Sequence, residues 1–494
     1  LLLTLTAFAQ EKYVFTSGLP DMTVADLVKH TDSIFTPTTQ FAFNCNTNYM
    51  LPYDKITKDK GSEPGYLEEQ LKLVEKDSLQ PVPYANIALY YENKGEETAS
   101  QQYYKKAFDK IKYLKPGKDS ASIYSYQSYL KFHLGQDGVP DMEKALSINK
   151  NDSLAVYFYP MFLLKNQRYD DAKKVLVNTL EDSNNKYYGY LMMYMAHAFE
   201  NLGKLMQSES DVAKAFAGVD VETFVDMRPY HKYFKKNDED FELMREMSEL
   251  LVVTLKTIAK LEDKNYKPTA AELALIDKKE AFFKKRLKKK DANLFGLYMS
   301  LGTTSIAKRD FSASAGYFQK AADSFPKDKE SVMFNRVETY DNMVIIHSYL
   351  KDYDKAIAVL KTAAEVPAIT DAKKAETLVC IGKMYYLKND VDSATEYTNK
   401  SIEVKETFEG DMFLGYLYVR QDLNSLGQRY IEKSQKLSAT VENLEHLIIY
   451  YMILQIANGH FDEAVNVYEG NKEALAGTCK SCEYLINHYL VKKG

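Results

Sequence analysis

Phe295-Gly-Leu-Tyr298-Met-Ser-Leu301-Gly302 and Ser314-Ala-Gly-Tyr-Phe318-Gln-Lys-Ala321, closing at Pro326, decide the fold. Tyr298 and Leu301 are three apart, so they share a face if the segment is helical, and Phe318 and Ala321 form the matching face of a second helix. Lys308-Arg309-Asp310 between them predicts a tight turn. Gly302 and Ser314 are small, which lets the two helix axes approach closely. A side chain as large as leucine at Gly302, Gly382 or Gly415 is therefore expected to overpack a helix crossing.

The same spacing recurs along the chain. Residues 81–114 carry Tyr84, Ile87, Ala88, Tyr91, Gly95, Tyr104 and Ala107, and 119–150 a weaker version ending in Ala145-Leu-Ser-Ile148. Residues 153–186 match through Tyr169-Asp-Asp-Ala172, although Pro160 in mid-helix is expected to kink or shorten that helix. Residues 189–222 follow with Met192, Ala196, Phe199 and Gly203. Further units fall at 337–370, at 375–408, from about 408 and from about 445, with a closing helix at 483–492. Between the two runs, residues 238–261 and 269–290 read as two longer helices, acidic at the start of the first and basic at the end of the second.

This pattern resembles the tetratricopeptide repeat, a 34-residue helix–turn–helix family whose units cannot bury their apolar faces alone. The resemblance implies an all-α helix–turn–helix solenoid, a superhelix in two repeat blocks joined by a longer helical hairpin. The expected divisions are a leader remnant at 1–9, an irregular segment at 10–66, a first block at 67–222, the hairpin at 223–294, a second block at 295–478 and a capping helix at 479–494. No convincing strand is legible, and segment 10–66 reads as a cover for an open solenoid end.

With 45% hydrophobic residues the chain can fill a continuous core, which excludes wholesale disorder. A net charge of -5 argues against general nucleic-acid affinity. Leu1 to Ala9 is apolar, and Ala7 and Ala9 give the small-x-small pattern of signal cleavage, so export to the periplasm with Gln10 as the new N-terminus is the expectation. Four cysteines are too few for a disulfide framework; Cys45 and Cys380 stand alone, and Cys479-Lys-Ser-Cys482 reads as a local disulfide or as free thiols.

Catalytic signatures are missing: there is no H-E-x-x-H, no G-x-S-x-G, no phosphate-binding glycine loop and no dinucleotide fingerprint. A non-catalytic protein with neither cofactor nor metal is the expectation. The basic run Lys284 to Lys290 reads as a helix C-terminus, with an acidic partner or membrane surface as the functional alternative. Asp-Ser-apolar triplets such as Asp152-Ser153-Leu154 and Asp392-Ser393-Ala394 read as helix caps. They also resemble the O-glycan acceptor of exported proteins in Bacteroidetes-type bacteria.

The repeat resemblance places binding on the inner face of each unit's first helix. That face is expected to present Tyr157, Met161, Tyr190, Met193, Tyr194, His197, Met299, Asp341, Lys383, Tyr386, Met412, Phe413, Tyr416 and Ile449. An aromatic, methionine-rich lining suits a peptide or helical segment of a partner protein in the cell envelope. The alternative is glycan binding on stacked tyrosines, which echoes outer-membrane sugar-binding proteins with similar repeats. The lipidated cysteine and tryptophan platforms of those proteins have no counterpart here.

Overall fold

Left-handed residues punctuate the chain at the turns its sequence marks. Arg309, Lys351 and Asn389 have φ of 61°, 56° and 63°. Each is followed at once by an aspartate, Asp310, Asp352 or Asp390, whose carboxylate accepts from a backbone N–H three residues on, at 3.0, 3.3 and 3.0 Å. One residue thus ends a helix in the αL conformation and the next caps the following helix. The result is a chain of short helical hairpins.

The computed structural model describes residues 13–15, 59–115, 120–182, 185–208, 219, 224–260, 266–290, 292–331, 334–421, 423–437, 441–457, 459–472 and 480–492. The expected leader at 1–9 and both Cys45 and Cys479 lie outside these residues. Two compact units divide the chain, one of residues Phe43–Ile346 and one of Leu1–Ala42 with His347–Gly494.

In the first unit the helices are α1 (Tyr66–Lys76), α2 (Pro81–Asn93), α3 (Glu97–Asp109), α4 (Ala121–His133), α5 (Val139–Ile148), α6 (Ser153–Lys165), α7 (Tyr169–Glu181), α8 (Lys186–Ser208), α9 (Glu239–Ala259), α10 (Ala270–Arg286), α11 (Leu294–Ala307) and α12 (Phe311–Asp323). The chain passes to the second unit within α13 (Val337–Tyr349). There follow α14 (Tyr353–Ala364), α15 (Asp371–Leu387), α16 (Val391–Val404), α17 (Phe408–Arg420), α18 (Asn424–Leu437), α19 (Val441–Ala457), α20 (Phe461–Asn471) and α21 (Lys480–Tyr489). The architecture is the all-α solenoid of tetratricopeptide type that the spacing predicts.

Small residues set the helix crossings. A Cβ built on Gly302 would lie 2.7 Å from the Phe318 ring, one on Gly382 2.6 Å from Thr398 Oγ1, and one on Gly415 2.8 Å from Ile431 Cγ1. In each pair the partner stands sixteen residues after the glycine, so one crossing geometry is repeated in three hairpins. Ser314 Oγ fastens the first of them by donating to Gly302 O at 2.8 Å.

Two expectations need correction. Pro160 does not shorten α6, which runs through it for thirteen residues with the ring buried. Strand structure is present as well: β1 (Tyr13–Phe15) pairs antiparallel with β2 (Leu490–Lys492), Val14 opposite Val491, and the last of these elements follows α21 directly. Three-residue strands carry too little alternation to be read from sequence.

The expected hairpin of two longer helices forms, though inside the first unit and not between the two units, with a capping box at Thr269 and Glu272 opening α10. Its two helices run antiparallel and are tied by charged rungs: Glu239 to Arg286, Glu246 to Lys279 at 2.5 Å, and Lys256 to Glu272 at 2.7 Å. Seven residues separate successive members on α10, which keeps Glu272, Lys279 and Arg286 on one face. The basic run is partly spent here. Arg286 and Lys289 reach Glu239 and Lys284 reaches Glu280, whereas Lys285, Lys288 and Lys290 remain exposed.

Candidate functional site

Nine of the fourteen groove candidates are buried, Met299 among them. In the second unit Tyr386, Met412, Phe413, Tyr416 and Ile449 all belong to one hydrophobic core, with Tyr386 Oη 2.7 Å from Tyr416 Oη. They hold hairpins together and do not line a surface. The reason is geometric: α17 packs against α15, α16, α18 and α19, so a first helix has neighbours on both sides and its inner positions are covered. Tyr190, Met193 and Tyr194 on α8 are buried too.

Tyr157, Met161 and His197 stay at the surface of the first unit. Tyr157 is 47% exposed, and its ring stacks on Tyr188 with centroids 4.6 Å apart and planes 17° from parallel. Tyr188 Oη donates to the Tyr157 carbonyl at 2.8 Å, which fixes the pair. Met161 lies one turn beyond Tyr157 on α6. On α8, Tyr188, Met195 and Phe199 follow one another at helical spacing on one face, with Phe199 43% exposed. The ring stack joins these two rows into an aromatic and methionine-rich strip.

Charge flanks the strip. Lys173 on α7 bridges to Asp170 at 2.8 Å and to Glu200 at 2.7 Å, and Lys204 also reaches Glu200 at 2.5 Å. These lysines hold the Glu200 carboxyl down at about 2. Burial and the nearby Lys173 depress the His197 imidazole, and its Nε2 lies 3.2 Å from Tyr230 Oη. His197 is therefore neutral at pH 7, a hydrogen-bonding group and not a charged one. Among the described residues no nucleophile with an adjacent base is assembled at the strip.

Other tyrosines are organised in a way the sequence analysis missed. Tyr91 stacks on Tyr103, Tyr385 on Tyr397, and Tyr418 lies over Tyr430, with centroids 5.6, 5.4 and 5.5 Å apart. The second ring of each pair carries a lysine ammonium, Lys106, Lys400 or Lys433, at 4.4, 4.7 and 5.3 Å. A Tyr-x11-Tyr-x2-Lys spacing in the sequence records this device. Each second ring thus has both a tyrosine and an ammonium against it, a repeated cation–π arrangement.

Deeper in the first unit, Tyr190 and Tyr194 wall a cavity of about 310 Å³ together with the turn at Arg228–Tyr233, α9 and α10. Its polar side contains the middle rung of the α9–α10 hairpin, Lys279 between Glu246 and Glu249, with Arg245 on Glu246 at 2.7 Å. Burial alone would raise the Glu246 carboxyl, but hydrogen bonds from Lys279 and Arg245 hold it below its usual range. Heptad-spaced charges on 239–286 signal the rung; the irregular 224–234 segment that closes the cavity leaves no periodic signal.

The tetratricopeptide repeat family model matches residues 83–109, which span the turn between α2 and α3. Such repeats point to protein–protein interaction as the general role of this repeat chain. Among solved structures, yeast Tom70 is 14% identical, with 94% of this chain and 93% of that one covered at a TM-score of 0.34. A tetratricopeptide repeat protein from Parabacteroides merdae is 11% identical over 73% of this chain and 99% of its own, at 0.27. PilF of Pseudomonas aeruginosa is 12% identical over 50% and 99%, at 0.31. These values are too low to transfer function or overall shape. A search of curated proteins finds no match.

Proposed function

We propose that the chain is a non-catalytic scaffold of the cell envelope that holds an apolar or amphipathic segment of a partner protein on the α6–α8 strip. The observation that carries this is the Tyr157–Tyr188 stack, whose Tyr157 ring is nearly half open to solvent, continued by Met161, Met195 and Phe199. A rigid aromatic pair costs little entropy to bury, and flexible methionines beside it adapt to the shape of what is bound. The ionic row of Lys173, Glu200 and Lys204 supplies a polar rim.

A photo-cross-linking residue at position 157 or 199 of the full chain tests this in cells. Adducts with one protein species are expected at both positions and not at Tyr113, an exposed aromatic in the same unit that lies off the strip. Equal labelling at 113 would remove the reading. Export belongs to the same proposal and rests on the Ala7-Phe-Ala9 pattern. N-terminal sequencing of the cellular protein is expected to start at Gln10, and a cellular chain that retains residues 1–9 would sink it.

A further inference from the structure

The cavity walled by α8, α9 and α10 is a second place where the molecule is built to hold something, separate from the surface strip. Its internal charges cancel. Glu246 and Glu249 are taken up by Lys279 and Arg245, and Asp226 by Arg228, whose Nε and Nη2 reach the two carboxylate oxygens at 2.7 Å each. Lys279 is only 2% exposed, so this network is fixed in place and is not free to turn toward a ligand. Among the lining residues that leaves Lys278, which is exposed and has no carboxylate partner among the described residues. The net field facing the cavity is one positive charge.

Two further properties of the wall narrow the ligand. His231 Nε2 is buried and has no hydrogen-bond partner among the described residues, although the ring is enclosed by Tyr190 and Phe241 with centroids at 6.3 and 5.4 Å. That nitrogen is sealed off, so what His231 offers a ligand is its ring. Burial, with Arg245 next, depresses this imidazole, so the ring adds no positive charge to the wall. The remaining surface is apolar or aromatic, from Tyr190, Val225, Met227, Val252 and Leu275. The volume lies at the low end of the roughly 300–1,000 Å³ of ligand pockets, which excludes a folded segment and admits a small molecule.

We propose that this cavity binds a small amphipathic monoanion: one carboxylate for Lys278 and an aromatic or branched apolar body against Tyr190, Val252 and Leu275. A dianion would meet Glu246 and Glu249 without a second free cation. An ammonium ligand would face Lys278 unpaired.

Calorimetric titration of the full chain tests the assignment with two probes, phenylacetate and phenethylamine. The acid is expected to bind saturably and the amine not at all. Lys278→Gln, at an exposed position, is expected to weaken the acid by roughly ten-fold or more. Val252→Phe and Leu275→Phe, which fill the cavity from two different helices, are each expected to abolish binding, with thermal melting of every variant as the control on folding. Absence of binding by the acid overturns the proposal. So does phenethylamine binding as tightly as the acid, or a titration unchanged by Lys278→Gln in the folded variant.

Discussion

Asp411 is the residue whose environment is least comfortable. It is fully buried in the first turns of α17, and among the described residues neither carboxylate oxygen has a hydrogen-bond partner. Glu406 lies close by, and two carboxyl groups bond to each other only when one carries a proton. Burial, then the Glu406 charge, pushes Asp411 up to about 6, against a weaker opposing pull from Lys433. Glu406 itself is held low, first by its hydrogen bond from Lys433 at 2.6 Å. The sign follows from linkage: a carboxyl raised on folding stabilises the fold below its unfolded value near 3.8 and loses that contribution as pH climbs through about 6. Glu406, depressed on folding, gives the opposite slope at lower pH. Between about pH 4 and 6 the protein should therefore lose roughly 1–3 kcal/mol as pH rises. Asp411→Asn should remove most of that slope and be the more stable form at pH 7.5. Urea midpoints at pH 4.5 and 7.5 decide it, and parallel shifts in both proteins would show that Asp411 is not the group responsible. No motif in the sequence marks this residue, because its burial depends on α16 and α18 closing over it.

At the scale of the element, the hairpin crossings are where sequence and structure agree most closely. Gly302, Gly382 and Gly415 stand where a Cβ would come within 3 Å of the facing helix, and each is legible as a small residue at fixed spacing in an apolar helix. Gly302→Leu and Gly415→Leu should each destabilise their unit by roughly 1–3 kcal/mol or more, since the obstacle is a packed Phe318 ring in one case and Ile431 with the Gly427 carbonyl in the other. A control is Gly316, which has open space around its Cβ position; Gly316→Ala should be neutral or slightly stabilising in α12. Chemical denaturation checks all three, and a Gly302→Leu midpoint equal to wild type would mean that the crossing yields without strain. Legibility ends at the helix faces. Tyr386 and Tyr416 fit an inner-face pattern as well as they fit a core, because periodicity says which residues share a side and not what lies against it. Met161 and Tyr157 escape burial only because nothing described packs over that part of α6.

Across the molecule, the two units distribute their cores differently. In the second unit one hydrophobic cluster runs without a break from Val379 on α15 to Leu490 on β2, taking in every helix between. The first unit contains separate clusters, among them one around Tyr84, Tyr104 and Leu130 and another around Met142, Phe162 and Leu163. Repeat stability is a sum of unit and nearest-neighbour terms, so continuity of the core sets how far a local loss spreads. Met452→Ala, at a fully buried site on α19, should cost about 2–5 kcal/mol and lower amide protection from α15 to α21 together. Leu163→Ala, equally buried on α6, should lower protection in α4 to α7 and leave α2 and α3 nearly as before. Hydrogen exchange read by mass spectrometry in mild denaturant distinguishes the two patterns. If the Met452 variant instead loses protection only in α19 and α20, the core of the second unit is divided into separate parts. That outcome would also weaken the role given to its buried tyrosines, whose function here is to carry the core from one hairpin to the next.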